Sequence, residues 1–219
     1  MPIGWAVAIL LLMLAVFYFR RRQAAQVAIL LHSESPRAQA QPIYAVALPG
    51  GYYFHPSHTW MAEHGTALAR VGLDGFAANL MGRVQQISVV REQRWVRQGQ
   101  KLMIVTSDYE TIEMLSPLEG VVAAINPDVL KDPGLAIRDP YNEGWVCQIK
   151  SSEMETNERN LIQGALAERW LENSFQQLKS VLAEADPVLA QDCGQLLPGA
   201  FSRLSAQRRK QLVKEFFLS

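Results

Sequence analysis

Apolar and polar positions divide the chain into stretches with different rhythms. The first has no alternation at all: Pro2 to Phe19, "PIGWAVAILLLMLAVFYF", runs eighteen residues without a charge, and Arg20, Arg21 and Arg22 follow at once. At about 1.5 Å per residue, a helix of that length spans roughly 27 Å, enough for a hydrocarbon core. A cleaved leader carries its positive charges before the apolar run and ends in small residues. This segment does the reverse. The arginine step predicts a single-pass anchor in the inner (cytoplasmic) membrane, N-terminus out, with Trp5 near the outer interface and Tyr18 near the basic one. The body that follows is then cytoplasmic. "RRRQAAQVAILL" continues the helix to residue 31, with Val27, Leu30 and Leu31 on one side. The polar, proline-bearing "HSESPRAQAQP" (32–42) has the composition of a linker.

From 43 to 151 the rhythm shortens to that of β-strands broken by turn residues. "TALARVGL" places Leu68, Val71 and Leu73 inward, and "VQQISVV", "KLMIVTS", "TIEML" and "GVVAAI" continue the pattern. Gly65, Gly72, Gly99, Gly120 and Gly134 fall where turns or close backbone approaches are expected. One short helix interrupts the strands, "DGFAANLMG", with Asp74 as N-cap, Phe76 and Leu80 on one face, and Gly82 as terminator. The class is mainly β: a small β-sandwich or flattened barrel.

From 152 to 219 the period changes again. Leu161, Ile162, Ala165, Leu166, Trp170, Leu171, Leu178 and Leu182 approximate the spacing of an amphipathic helix that Pro187 ends. A loop through "DCGQLLPG" leads to a last helix, "SAQRRKQLVKEFFLS". Its N-cap is Ser205, its apolar stripe Leu212, Val213, Phe216 and Phe217, and Arg208 to Lys210 are expected to be solvated. This helical tail either packs on the β-domain or offers Phe216 and Phe217 to a partner.

Composition narrows the chemistry. Twenty-one basic residues balance 21 acidic ones, so bulk nucleic-acid binding is not indicated. Cys147, in the apolar "GWVCQIK", reads as a buried thiol and Cys193 as a free one; their spacing suits neither zinc nor redox chemistry. His55, His58 and His64 cluster in sequence, but "HPSHTW" is not a helical pair and nothing completes a metal site. Asp139 and Glu143 in "DPYNEGW" read as turn-stabilising carboxylates. No nucleophile elbow, P-loop or dinucleotide fingerprint appears. No catalytic constellation, metal or cofactor is expected.

Several ordered pieces between Tyr53 and Lys150 resemble the glycine cleavage system H protein, a lipoyl-domain fold. They are "HPSHTW", "ALARVGLDGFAANLMGRV", "RQGQKLMIVTS" and, most specifically, "LSPLEGVVAAINPDVLKDPGLAIRDPYNEGWVCQIK". The resemblance implies that His58 is structural and that the hairpin around "IVTSDYETIEML" would present a lipoyl-lysine at its tip. Counting back from Ser116 and Pro117 puts Tyr109 at that place, flanked by Asp108 and Glu110, and no lysine occurs between Lys101 and Lys131. A phenol cannot form the amide that lipoylation requires, so no lipoyl arm is expected. Asp108, Tyr109 and Glu110 are instead candidate contact residues.

The combined expectation is a non-catalytic accessory subunit. It is held in the bilayer by its anchor and contacts the cytoplasmic side of an integral membrane complex, with bacterial electron-transfer or photosynthetic assemblies as candidate hosts. Two alternatives remain open: a tethered docking or regulatory partner of lipoyl-handling enzymes, and an export-pump adaptor. The last is ranked below the others because such adaptors split the lipoyl-like domain with a long insertion.

Overall fold

The structure, a computed structural model, describes residues 48–185 and 199–217. The expected anchor with Trp5, Tyr18 and Arg20 to Arg22, the expected linker, Pro187 and Cys193 lie outside the described residues. Among those described, no helix is long and apolar enough to cross a membrane. All of them fall in one compact unit, 42–219.

Among the described residues, nine strands form two antiparallel sheets. In chain order they are β1 (Tyr52–His55), β2 (Thr59–Glu63), β3 (Leu68–Leu73), β4 (Val84–Val89), β5 (Trp95–Val96), β6 (Lys101–Ser107), β7 (Thr111–Leu115), β8 (Gly120–Ile125) and β9 (Cys147–Lys150). One sheet runs β1-β2-β3-β9-β8-β5 and the other β4-β6-β7. Strand alternation sends Val71, Leu73, Val122 and Ile149 of the first sheet and Val105, Ile112 and Met114 of the second into one hydrophobic cluster. This is the expected mainly-β class. One inward position differs: the strand period groups Ala69 with Val71 and Leu73, and Leu68 is only half-buried. Strict period-two pleating does not allow Leu68 and Val71 to share a face.

Helix α1 (Gly75–Met81) forms as read. The Asp74 carboxylate accepts the Ala77 N–H, and Gly82, at φ 67°, closes the helix. A Cβ at Gly82 would stand 2.5 Å from the Gly199 Cα, so this glycine also admits the returning tail. Three further helices were not anticipated: α2 (Pro127–Lys131), α3 (Leu135–Arg138) and α4 (Met154–Glu158). The first had a signal, since Asn126 caps the Asp128 N–H and Pro127 occupies the first turn.

The tail comprises α5 (Gly164–Ala185), a 3-10 turn (Ala200–Arg203) and α6 (Ala206–Phe217). Helix α5 starts later than its apolar spacing suggested. Ile162 first adds a bridge to β1, exchanging 2.8 Å backbone hydrogen bonds with Phe54 in both directions. The buried stripe is then Ala167, Leu171, Phe175, Leu178 and Leu182, whereas Leu166 faces out, 68% exposed. Phe216 and Phe217, candidates for a partner face, are buried, and Phe217 is fully so. Their rings join the core cluster of the β-domain. Each such side chain contributes about 1.5–3 kcal/mol on burial, which is why the tail folds back.

Candidate functional site

The hairpin tip is built by the β6–β7 ladder. Val105 pairs with Ile112 and Thr106 with Thr111, leaving Ser107 to Glu110 to turn the chain. Buried Ser107 organises the turn: its N–H donates to the Glu110 carbonyl at 2.9 Å, and its hydroxyl accepts the Glu110 N–H at 3.1 Å. Asp108 is tied to β4. Its N–H donates to the Arg83 carbonyl at 3.2 Å, and its carboxylate accepts from Gln85 Nε2 at 2.8 Å.

Helix α6 covers the other side of the tip. Arg209 Nε lies 3.0 Å from Glu110 Oε1, and the two side chains are only 17% and 14% exposed. The Arg209 guanidinium also donates to the Leu204 carbonyl at 2.5 Å and lies 5.5 Å from the centre of the Tyr109 ring. Tyr109 stays 43% exposed. The tip residues expected to meet another protein thus divide. Glu110 is half-buried under its ion pair, whereas Asp108, though hydrogen-bonded to Gln85, and Tyr109 are exposed, and Tyr109 is the aromatic surface of the tip. Arg209, expected to be solvated with Arg208 and Lys210, is the clamp. Its position carried a signal: residues 209, 212, 213 and 216 share one helical face. Its acidic partner, 99 positions away, carried none.

Among the described residues, no lysine amine is paired with the tip. Lys101 stands at the opposite end of β6, paired with Glu113 at 2.7 Å. The Arg209 side chain beside the tip is a guanidinium, not the primary amine that lipoylation requires. The cleft beside the tip holds Asp132 and Arg138 2.5 Å apart, each answering the other's charge. The hydrogen bond from Arg138 holds the Asp132 carboxyl below its usual range.

A second polar cluster is structural. His58 Nδ1 lies 2.7 Å from Asp74 Oδ2, and both groups are buried. The imidazole is sandwiched between Phe76 and Trp170, with ring centres 4.2 and 4.6 Å away, and Phe216 and Phe217 stand edge-on. Asp74 therefore orients His58 and caps α1 at once. His55 accepts hydrogen bonds from Ser57, and burial together with the neighbouring His58 pushes its pKa down to about 4. His64 is exposed, and among the described residues no group of His, Cys, Asp and Glu forms a metal site. Burial pushes the Cys147 thiol up to about 12, as suits an inert core residue.

The "DPYNEGW" run explains itself through the same core. Asp139 accepts from the Asn142 amide and the Glu143 N–H. The Tyr141 hydroxyl accepts the Gly75 N–H at 2.9 Å, and burial raises its pKa. Asn126 donates to the carbonyls of Glu143 and Trp145. Residues 52–174 match the family model for the glycine cleavage H-protein, more than half of the chain. The chain belongs to the glycine cleavage H-protein family. The match extends past the β-domain into α5, whose Trp170 completes the His58 sandwich. Among relatives, the glycine cleavage system H protein of Aliivibrio salmonicida is 31% identical over 51% of this chain and 87% of its own length. That of Magnetococcus marinus is 28% identical over 49% and 76%. A crystal structure of the H protein from Mycobacterium marinum aligns with a TM-score of 0.45 at 22% identity, covering 48% of this chain and 87% of its own. In this H-protein-family chain the His58–Asp74 pair and the Asp139–Trp145 turn are fold determinants, whereas the clamp on the hairpin tip comes from α6, beyond the matched residues.

Proposed function

We propose that this chain is a non-catalytic, membrane-anchored accessory subunit. Its H-family domain carries no lipoyl arm and acts as a contact body on the cytoplasmic side of a larger integral membrane complex. The observation that carries the reading is the tip itself. The position that the family resemblance assigns to a carrier lysine holds Tyr109, and the adjoining Glu110 is ion-paired to Arg209 of the chain's own tail. A swinging arm needs a free amine and open space around the tip, and here a helix occupies one side of it. The apolar run 2–19, closed by three arginines, supports confinement to a bilayer, which raises the effective concentration near a membrane partner. Family membership favours one second reading, a tethered docking partner of lipoyl-handling enzymes. The packing of α6 against one side of the tip counts against it.

Intact-mass measurement after co-expression with a lipoylating system tests the missing arm. The wild-type chain is expected to remain unmodified. Tyr109→Lys should fold, since the side chain is half-exposed, and Tyr109→Lys with Arg209→Ala should accept lipoate more completely than Tyr109→Lys alone. Removing the neighbouring guanidinium eliminates a like charge and the side chain that lies over the residue 109 position. A lipoyl adduct on the wild-type chain would overturn the reading.

A further inference from the structure

The β4–β5 loop carries a feature that neither the fold nor the tip uses. Trp95 is 53% exposed on a two-residue edge strand, while its neighbour Val96 is buried and holds the strand to the core. Arg91, Arg94 and Arg97 surround it, all exposed, and none of them enters an ion pair among the described residues. The turn closed by the Arg94 N–H on the Arg91 carbonyl, at 3.3 Å, draws those two arginines together. The only acid in the segment, Glu92, turns back to accept the Ile125 N–H. Across the sheet, Trp95 registers with Val121 and Val121 with Lys150, so one outward row continues the pattern of apolar surface and positive charge.

We propose that this loop docks the H-family domain on an anionic lipid surface, with Trp95 entering the headgroup region and Arg91, Arg94 and Arg97 pairing with phosphates. The occupant follows from the chemistry and from the chain. An exposed indole on a narrow, strongly basic edge suits a membrane interface, where tryptophan is favoured and arginines meet anionic headgroups. A two-residue strand offers little of the flat area that a stable protein interface needs. The apolar run 2–19 would keep the domain within linker reach of a bilayer, so a weak contact suffices. The inference rests on the anchored reading above.

The test uses the full chain reconstituted into vesicles of phosphatidylcholine, with or without phosphatidylglycerol. The tryptophan emission assigned to residue 95, as wild type minus Trp95→Phe, is followed with aqueous iodide and with brominated lipid. In anionic vesicles Trp95 is expected to lose at least half of its iodide quenching and to gain quenching by brominated lipid. The triple variant Arg91→Glu, Arg94→Glu, Arg97→Glu should restore iodide access. Carbonate-resistant association with Trp95 still open to iodide in anionic vesicles would overturn the docking inference alone. Extraction of the chain by carbonate would overturn the anchored reading and this inference together. Shielding of Trp95 only in native membranes, and not in anionic vesicles, would assign the loop to a protein and also overturn lipid docking.

Discussion

His55 lies three residues from His58, yet the two imidazoles live in different circumstances. His58 has a carboxylate partner and an aromatic sandwich, whereas His55 is held beside Ser57 and forms no ion pair among the described residues. Its pKa is about 4 in the fold against 6.5 for an unperturbed histidine. Between those values the unfolded chain binds more protons, so stability falls as pH drops from about 6.5 toward 4. The His55 share of that loss is about 3 kcal/mol. Equilibrium denaturation at pH 7.5 and 4.5 should show His55→Asn losing less stability over this interval than the wild type. Equal losses would mean that His55 is not held neutral. At this scale the sequence was readable where the backbone itself recorded a need. Asp74 before a short helix and Gly82 after it declared their roles, and the "HPSHTW" resemblance marked His58 as structural. Arg209 was misread because its charge suggests solvent, although its place on the stripe with Leu212 and Phe216 suggests the core side. Its meaning depends on Glu110, and no local pattern encodes that pairing.

Among the elements, strands were legible from their two-residue period, and the β6–β7 hairpin from two apolar runs around a polar tip. Helix α2 had its cap and proline, whereas α3 and α4 are single turns too short to show a period. The misplaced start of α5 has a specific cause: the apolar Ile162 belongs to the bridge with β1, and hydrophobicity alone cannot tell a bridge from a first helical turn. The contact of α6 with the hairpin tip is the element-level feature that sets this chain apart from its own β-domain. The pair that fastens it is mostly covered. Its loss should cost about 1–2 kcal/mol, between the ~1 kcal/mol or less of exposed pairs and the ~3–5 kcal/mol of breaking buried ones. Arg209→Ala is therefore expected to speed hydrogen exchange in α6 and at 108–110 while leaving β3 and β9 unchanged. Unaltered exchange in α6 would show that Phe216 and Phe217 hold the helix without the clamp.

For the whole molecule, the proposed accessory role rests on an H-family body, a hairpin tip lacking a lysine, a tail packed beside that tip and an apolar N-terminal run. The family was legible because turns such as Ser116 to Gly120 and Asp139 to Trp145 fix backbone geometry with particular residues. Gly120, at φ 152°, would bring any Cβ against the Lys150 carbonyl. The partner was not legible, since no single surface residue type names what it meets. Gentle detergent extraction from native membranes, followed by native electrophoresis and mass identification of what co-migrates, tests the central claim most directly. Stoichiometric co-migration with an integral membrane complex is the predicted result and would name the host. Migration alone, or only with soluble lipoyl-handling enzymes, would contradict the account.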